Sequence, residues 1–125
     1  MNIRFNTTVD GFSSQVSSQY TATGTGTHEV RETIADSTTD GVVNLGLDVS
    51  TIKFLYVLSD KALTIKSYDG VTLRDTISVS ANSPLIYGTG LGSNPFTVDF
   101  TSLKVTNASG GSATLTILAA CDATP

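Results

Sequence analysis

The sequence has no tryptophan, one cysteine, one histidine and three prolines. A lone cysteine, Cys121, rules out an internal disulfide framework, and its place at the end of an apolar run makes it a small core residue. A lone histidine, His28, cannot build the usual zinc site, which draws on several His or Cys ligands. With Glu29 and Glu32 nearby, it reads as an exposed residue beside the start of a strand. The lack of tryptophan, with just four tyrosines, removes the usual aromatic platform for stacking on sugars.

Charge is also scarce. Charged residues make up 14% of the chain, against about 25% in an average soluble domain. The four Lys and three Arg form no cluster, and the formal net charge is −4. Binding to nucleic acid through phosphates is therefore not expected, and an anionic membrane surface would repel the chain. No stretch approaches the roughly 18 apolar residues that span a bilayer, and residues 1 to 15 contain no signal-peptide run. The expectation is a chain made in the cytoplasm, whose destination can still lie outside the cell.

What is abundant is hydroxyl: 20 Thr and 15 Ser occupy positions where Lys and Glu usually sit. Thr is β-branched and fits a pleated surface, while Ala, Leu, Glu and Lys never concentrate in one stretch as a surface helix requires. Leu, Ile, Val and Phe number 34 of 125 residues, well above the level at which a chain stays disordered. One core is expected, in a single β-sandwich domain over residues 1–125.

Period-two alternation supplies the strands. Ile3, Phe5, Thr7 and Val9 alternate with polar residues before Asp10-Gly11. Residues 12–27 are the most polar part, with Val16, Ser18, Tyr20 and Ala22 along one side, and read as an edge strand or an exchanged arm. Val30 to Ile34, Val42 to Leu47 and Ile52 to Leu58 follow. The last is apolar on both faces, with Phe54, Tyr56 and Leu58 opposite Leu55 and Val57, and reads as a central strand. Asp69-Gly70 is the strongest hairpin signal, as the centre of a type I′ turn. Leu63 to Ser67, Val71 to Val79, Leu85 to Tyr87, Phe96 to Phe100, Leu103 to Val105 and Ala113 to Cys121 complete the set. The fold class is all-β, a two-sheet sandwich or jelly roll of about 8–10 short strands. Its expected core comprises Leu55, Val57, Leu63, Ile65, Leu73, Ile77, Leu103, Val105, Leu115 and Ile117.

No motif points to chemistry. The Gly88 to Gly92 loop repeats glycine at alternate positions, but Asn94-Pro95 and a strand follow it, where a dinucleotide fingerprint opens a helix. Asp36 to Gly41 offers oxygen ligands at short spacing without the glycine placement and terminal Glu of an EF-hand loop. No Gly-x-Ser-x-Gly elbow exists. Asp69 and Asp75 flank the predicted hairpin as charged turn residues. Asn6-Thr7-Thr8 and Asn107-Ala108-Ser109 match the glycosylation pattern but lack a secretory context. No catalytic, cofactor-binding or metal-ligating residue is assigned, no cofactor is expected, and the chain is read as not an enzyme.

Several stretches carry a resemblance. Leu47-Asp48-Val49-Ser50, Leu55-Tyr56, Ser59-Asp60 and Leu63-Thr64 belong to it, as do Asn94-Pro95-Phe96, Leu103-Lys104-Val105-Thr106-Asn107 and Ala113-Thr114-Leu115. Together, over roughly residues 42–118, they resemble small β-rich virion proteins of tailed bacteriophages. The resemblance implies a non-enzymatic part of a phage particle, such as a capsid decoration or head or tail accessory protein, incorporated in a virion and working as an oligomer. The residues agree in direction. Sheet edges are normally protected by Lys, Pro or inward charges, and residues 12–27 and 112–118 have almost none, so these edges read as interfaces. The expected partners are further copies of the chain, a trimer or larger, and a major capsid or tail protein. The alternative is a carbohydrate- or ligand-binding β-sandwich module.

Overall fold

A computed structural model describes residues 2–9, 16–23, 26–88 and 93–121, with side chains for 27–88 and 93–121. In chain order its strands are β1 (Asn2–Val9), β2 (Val16–Thr23), β3 (Gly26–Ile34), β4 (Gly41–Val43), β5 (Ile52–Ser59), β6 (Leu63–Asp69), β7 (Thr72–Val79), β8 (Leu85–Gly88), β9 (Ser102–Thr106) and β10 (Ala113–Cys121). One turn of 3-10 helix, Val49–Thr51, precedes β5, with Asp48 accepting the Ser50 N–H as its cap.

Strands β3 to β10 pair in nested order: β3 with β10, β4 with β9, β5 with β8, β6 with β7, all antiparallel. A long hairpin rolled upon itself produces this nesting. Two further pairings, β10 with β5 and β9 with β6, gather the strands into sheets of order β3-β10-β5-β8 and β4-β9-β6-β7. The chain is an eight-stranded jelly roll. Strands β1 and β2 form a separate two-stranded ribbon.

Between the sheets, Leu55, Val57, Leu115 and Ile117 of one pack against Leu63, Ile65, Leu103 and Val105 of the other, all essentially buried. Nine of the ten expected core residues are there. The tenth, Leu73, is 48% exposed. Lys66 pairs with Thr76 but Tyr68 pairs with Leu73, so β7 carries one extra residue opposite Ser67. That bulge reverses the alternation and turns Leu73 to the outer face, alongside Tyr68. The Ser67 hydroxyl accepts the Asp75 N–H at 2.9 Å, holding the bulge.

Three other expectations are corrected. Phe96 to Phe100 is a loop, whose alternation arises because Phe96 and Phe100 both plug the core, with ring centroids 4.6 Å apart, while Val98 points out. Val42 to Leu47 is strand only as far as Val43, with Leu47 forming an isolated bridge to Phe100. The β6–β7 turn centres on Gly70 and Val71, because Asp69 pairs with Thr72. Gly70 has φ +60° and Val71 does not share it, which fits the type II′ turn in place of I′.

Candidate functional site

Because β5 and β10 are central, the outer face of their sheet shows what the fold carries beyond its main core. The register puts Phe54 opposite Ala120 and Gly88, and Tyr56 opposite Leu118 and Ile86. Directly opposed residues share a face, and this face is the one turned away from Leu55 and Ala119. It is apolar. Phe54 is 6% exposed and Ala120 fully buried, with Tyr56 and Ile86 half-buried against them, in a cluster separate from the main core.

The other sheet is dressed differently. Its outer face carries Thr64, Lys66, Tyr68, Thr76, Ser78, Lys104 and Thr106 by the same register. Lys104 lies over the Tyr68 ring, 4.4 Å from its centroid, and Lys66 pairs with Asp40 at 3.7 Å. Val42, opposite Lys104, and Leu73, opposite Tyr68, lie on this face as well, 60% and 48% exposed, so it is a mixed surface of hydroxyls, ammonium groups and exposed aliphatic side chains.

The β1–β2 ribbon has a matching asymmetry. Its register aligns Ile3 with Ala22, Phe5 with Tyr20, Thr7 with Ser18 and Val9 with Val16. The period of a strand places these positions on one face of the ribbon and Asn2, Arg4, Asn6, Thr8, Ser17, Gln19, Thr21 and Thr23 on the other. One face is therefore mostly apolar in sequence and the other wholly polar. The backbone of β2 approaches β5, the strand that carries Phe54 and Tyr56.

Of the two edges expected to be interfaces, the first is an edge strand, since β2 pairs with β1 alone among the described strands, and the second is not. Residues 113–118 lie in β10, between β3 and β5, and offer no free edge. Among the four-stranded sheets, the long edge strands are β3 and β7. Strand β3 carries His28, Glu29, Arg31 and Glu32, all exposed, and β7 carries the bulge and an Arg74–Asp69 ion pair at 3.2 Å. Charges and bulges of this kind discourage edge pairing. Of residues 12–27, Val16–Thr23 form β2 and Gly26 and Thr27 begin β3, while 12–15 and 24–25 lie outside the described residues.

The residues weighed for chemistry have structural partners. Asp75 accepts from the Thr97 hydroxyl at 2.8 Å and from the backbone N–H groups of Thr97 and Val98, pinning the loop before β9. Asp69 holds Arg74, and Asp40 accepts the Lys66 ion pair and lies beside the Thr106 hydroxyl. Ser50 donates its hydroxyl and backbone N–H to Asp48, which holds that carboxyl below the ordinary range. The thiol of Cys121 is buried, and loss of solvent pushes its pKa up. Residues 89–92 of the glycine loop lie outside the described residues. Among the described residues, no three His, Cys, Asp or Glu side chains converge as a metal site would require.

Asn107, read only as a glycosylation match, is a buried structural clamp. Its amide donates to the carbonyls of Ile34, Ala35 and Gly111, and its oxygen accepts the Ser109 N–H and hydroxyl. Beside it are two open, adjoining clefts of about 390 and 330 Å3 that share Thr106 and Ala108. Ser and Thr hydroxyls dominate their lining, and no aromatic ring faces either. No described helix is long and apolar enough to cross a membrane.

No family model matches the sequence, and no curated protein is similar to it. Among solved structures, the chain is similar to one from Bacillus endospore appendages, described as a novel family of disulfide-linked pili. The two share 16% identity at a TM-score of 0.41, over 78% of this chain and 88% of that one. A likeness of that size carries no functional argument. None of these comparisons brings in a phage protein, so the virion resemblance rests on the sequence stretches alone.

Proposed function

We propose that this chain is a non-enzymatic structural subunit that assembles with copies of itself. The finer reading is a phage virion component, such as a capsid decoration or head or tail accessory protein, made in the cytoplasm and seated on a capsid or tail protein. The observation that carries the assembly reading is the surface composition: charged residues make up 14% of the chain and Thr and Ser hydroxyls take their place on the strands, so little charge guards the strands against a neighbouring copy. The jelly roll agrees with this use, since it recurs in viral capsid proteins, but it also recurs in lectins and does not select a function.

Light scattering at micromolar concentration tests the reading. The expected mass is that of three or more chains. A mass of 13.0 kDa at every concentration overturns self-assembly. Copurification with virions of a phage that encodes the chain tests the finer reading, and its absence from purified particles overturns that part alone.

A further inference from the structure

We infer that β3 is a contact between copies: its free edge pairs antiparallel with the same edge of a second copy, about a two-fold axis at Val30. The inference rests on the assembly reading above and names its contact.

The edge is open. Strand β3 ends the β3-β10-β5-β8 order and pairs with β10 alone among the described strands. Its other side presents backbone N–H and C=O groups to solvent, which is the template that strand addition uses. At nine residues it is also the longest edge of the two four-stranded sheets, since β4 has three, β8 has four, and β7 has eight interrupted by its bulge.

The charges on this edge are complementary to themselves. His28, Glu29, Arg31 and Glu32 all stand exposed on β3, in a chain that is otherwise sparing with charge. They turn away a strand of arbitrary sequence, but they fit a second copy in one register. Val30 is the midpoint of Gly26–Ile34 and lies half-buried against the core. When two copies pair about it, counting equal steps to either side sets Glu29 opposite Arg31, His28 opposite Glu32 and Thr27 opposite Thr33, and the two-fold repeats each pair. Opposed residues share a face, and within each chain Arg31 already holds Glu29 at 2.7 Å. The four side chains at the centre therefore alternate in sign around a square. Opposite charges and Thr pairs set across a ladder are favourable, whereas like charges are not.

No neighbouring register does the same. An axis at Glu29, Arg31 or Glu32 sets that side chain against its own copy, like charge on like charge. An axis at His28 or Thr33 leaves Arg31 outside the ladder. Charge thus selects both the partner and the register. A two-fold contact closes at two chains, joining two four-stranded sheets into one of eight, and larger assemblies are then built from pairs.

Full-length charge variants test the contact. Glu29→Arg and Arg31→Glu each set like charges opposite one another twice in the pair, so sedimentation should show the dissociation constant raised at least about tenfold. Mixed in equal amounts, the two variants should recover association, because every opposed pair is then of opposite charge. Cysteine variants read the register. Directly opposed residues have Cα atoms about 4.5–5.5 Å apart, within reach of a disulfide, and Cys121 is buried. Under oxidised glutathione, Val30→Cys should cross-link to twice 13.0 kDa. Thr33→Cys should not, because its two copies stand six residues apart along the ladder, about 20 Å. Equal behaviour of the two cysteine variants, wild-type association by both charge variants, or a mixture that fails to recover overturns the β3 contact and leaves assembly through another surface. A wild type that is monomeric throughout overturns the assembly reading and the contact together. Should Val30→Cys lose its cooperative melt, the charge variants carry the test, since both of their side chains lie in solvent.

Discussion

The side-chain amide of Asn107 donates to the backbone carbonyl of Ile34 at 3.0 Å, joining the β9–β10 connection to the end of β3. The same nitrogen reaches Ala35 and Gly111, and no buried side-chain polar atom among the described residues lacks a partner. Asn107→Ala leaves those carbonyls without their donor, that of Ile34 in a buried position. The expected cost is about 1–3 kcal/mol, seen as a lower urea midpoint at unchanged slope. A midpoint identical to the wild type's would mean that water or a shifted loop replaces the amide.

The bulge in β7 separates two leucines that the alternation treats alike. Leu55 is fully buried and Leu73 is 48% exposed. Leu55→Ala should cost roughly 2–5 kcal/mol through lost burial and the cavity it leaves, whereas Leu73→Ala should stay within about 0.5 kcal/mol. Chemical denaturation of the two variants side by side checks the assignment. Equal losses would place Leu73 in the core and remove the bulge.

Most of the sandwich is legible in the sequence because its inner faces obey one rule, period two with Leu, Ile and Val. The central position of β5 follows from its two apolar faces. Leu73 and the Phe96 to Phe100 loop escape that rule for a shared reason. The alternation of residue types is the same whether a strand continues, bulges or loops, and what decides is a partner outside the run itself: Ser67 for the bulge, Asp75 for the loop. The apolar ribbon face was visible as two alternating runs, Ile3 to Val9 and Val16 to Ala22. Only the register shows that the two runs share a face. The edge argument failed for residues 112–118 alone, because strand order, which placed 113–118 between two neighbours, is not written in local pattern.

Asp75 accepts three hydrogen bonds from Thr97 and Val98, so it should decide whether the loop before β9 holds its shape. Asp75→Ala is expected to cost about 1–3 kcal/mol, the range for removing a charged acceptor from its donors. Amide hydrogen exchange gives the local reading: the Thr97 and Val98 N–H groups should lose protection while those of β10 keep theirs. Undiminished protection at both would show that the flanking Phe96 and Phe100 hold the loop unaided.

Cys121 ends β10 with its side chain in the core, opposite Ile52. Burial disfavours its thiolate and raises its pKa, an effect that the nearby Asp48 charge reinforces and the Thr51 side chain opposes. The sign of the linkage follows. A group whose folded pKa lies above its unfolded value adds stability that is fully present below the unfolded pKa and is lost as pH rises through the folded one. Between neutral pH and the ordinary thiol range, stability should therefore be insensitive to this group. Above that range it should decline, and Cys121→Ala should decline less steeply over the same alkaline interval. Thermal melts of both proteins from neutral to alkaline pH make the comparison. Thiol labelling gives an independent reading, because the thiolate is the reactive form. The folded chain should react with an aromatic disulfide reagent at least roughly tenfold more slowly than the chain unfolded in denaturant at the same pH. Parallel alkaline curves together with equal labelling rates would place the thiol in solvent and contradict its position in the core.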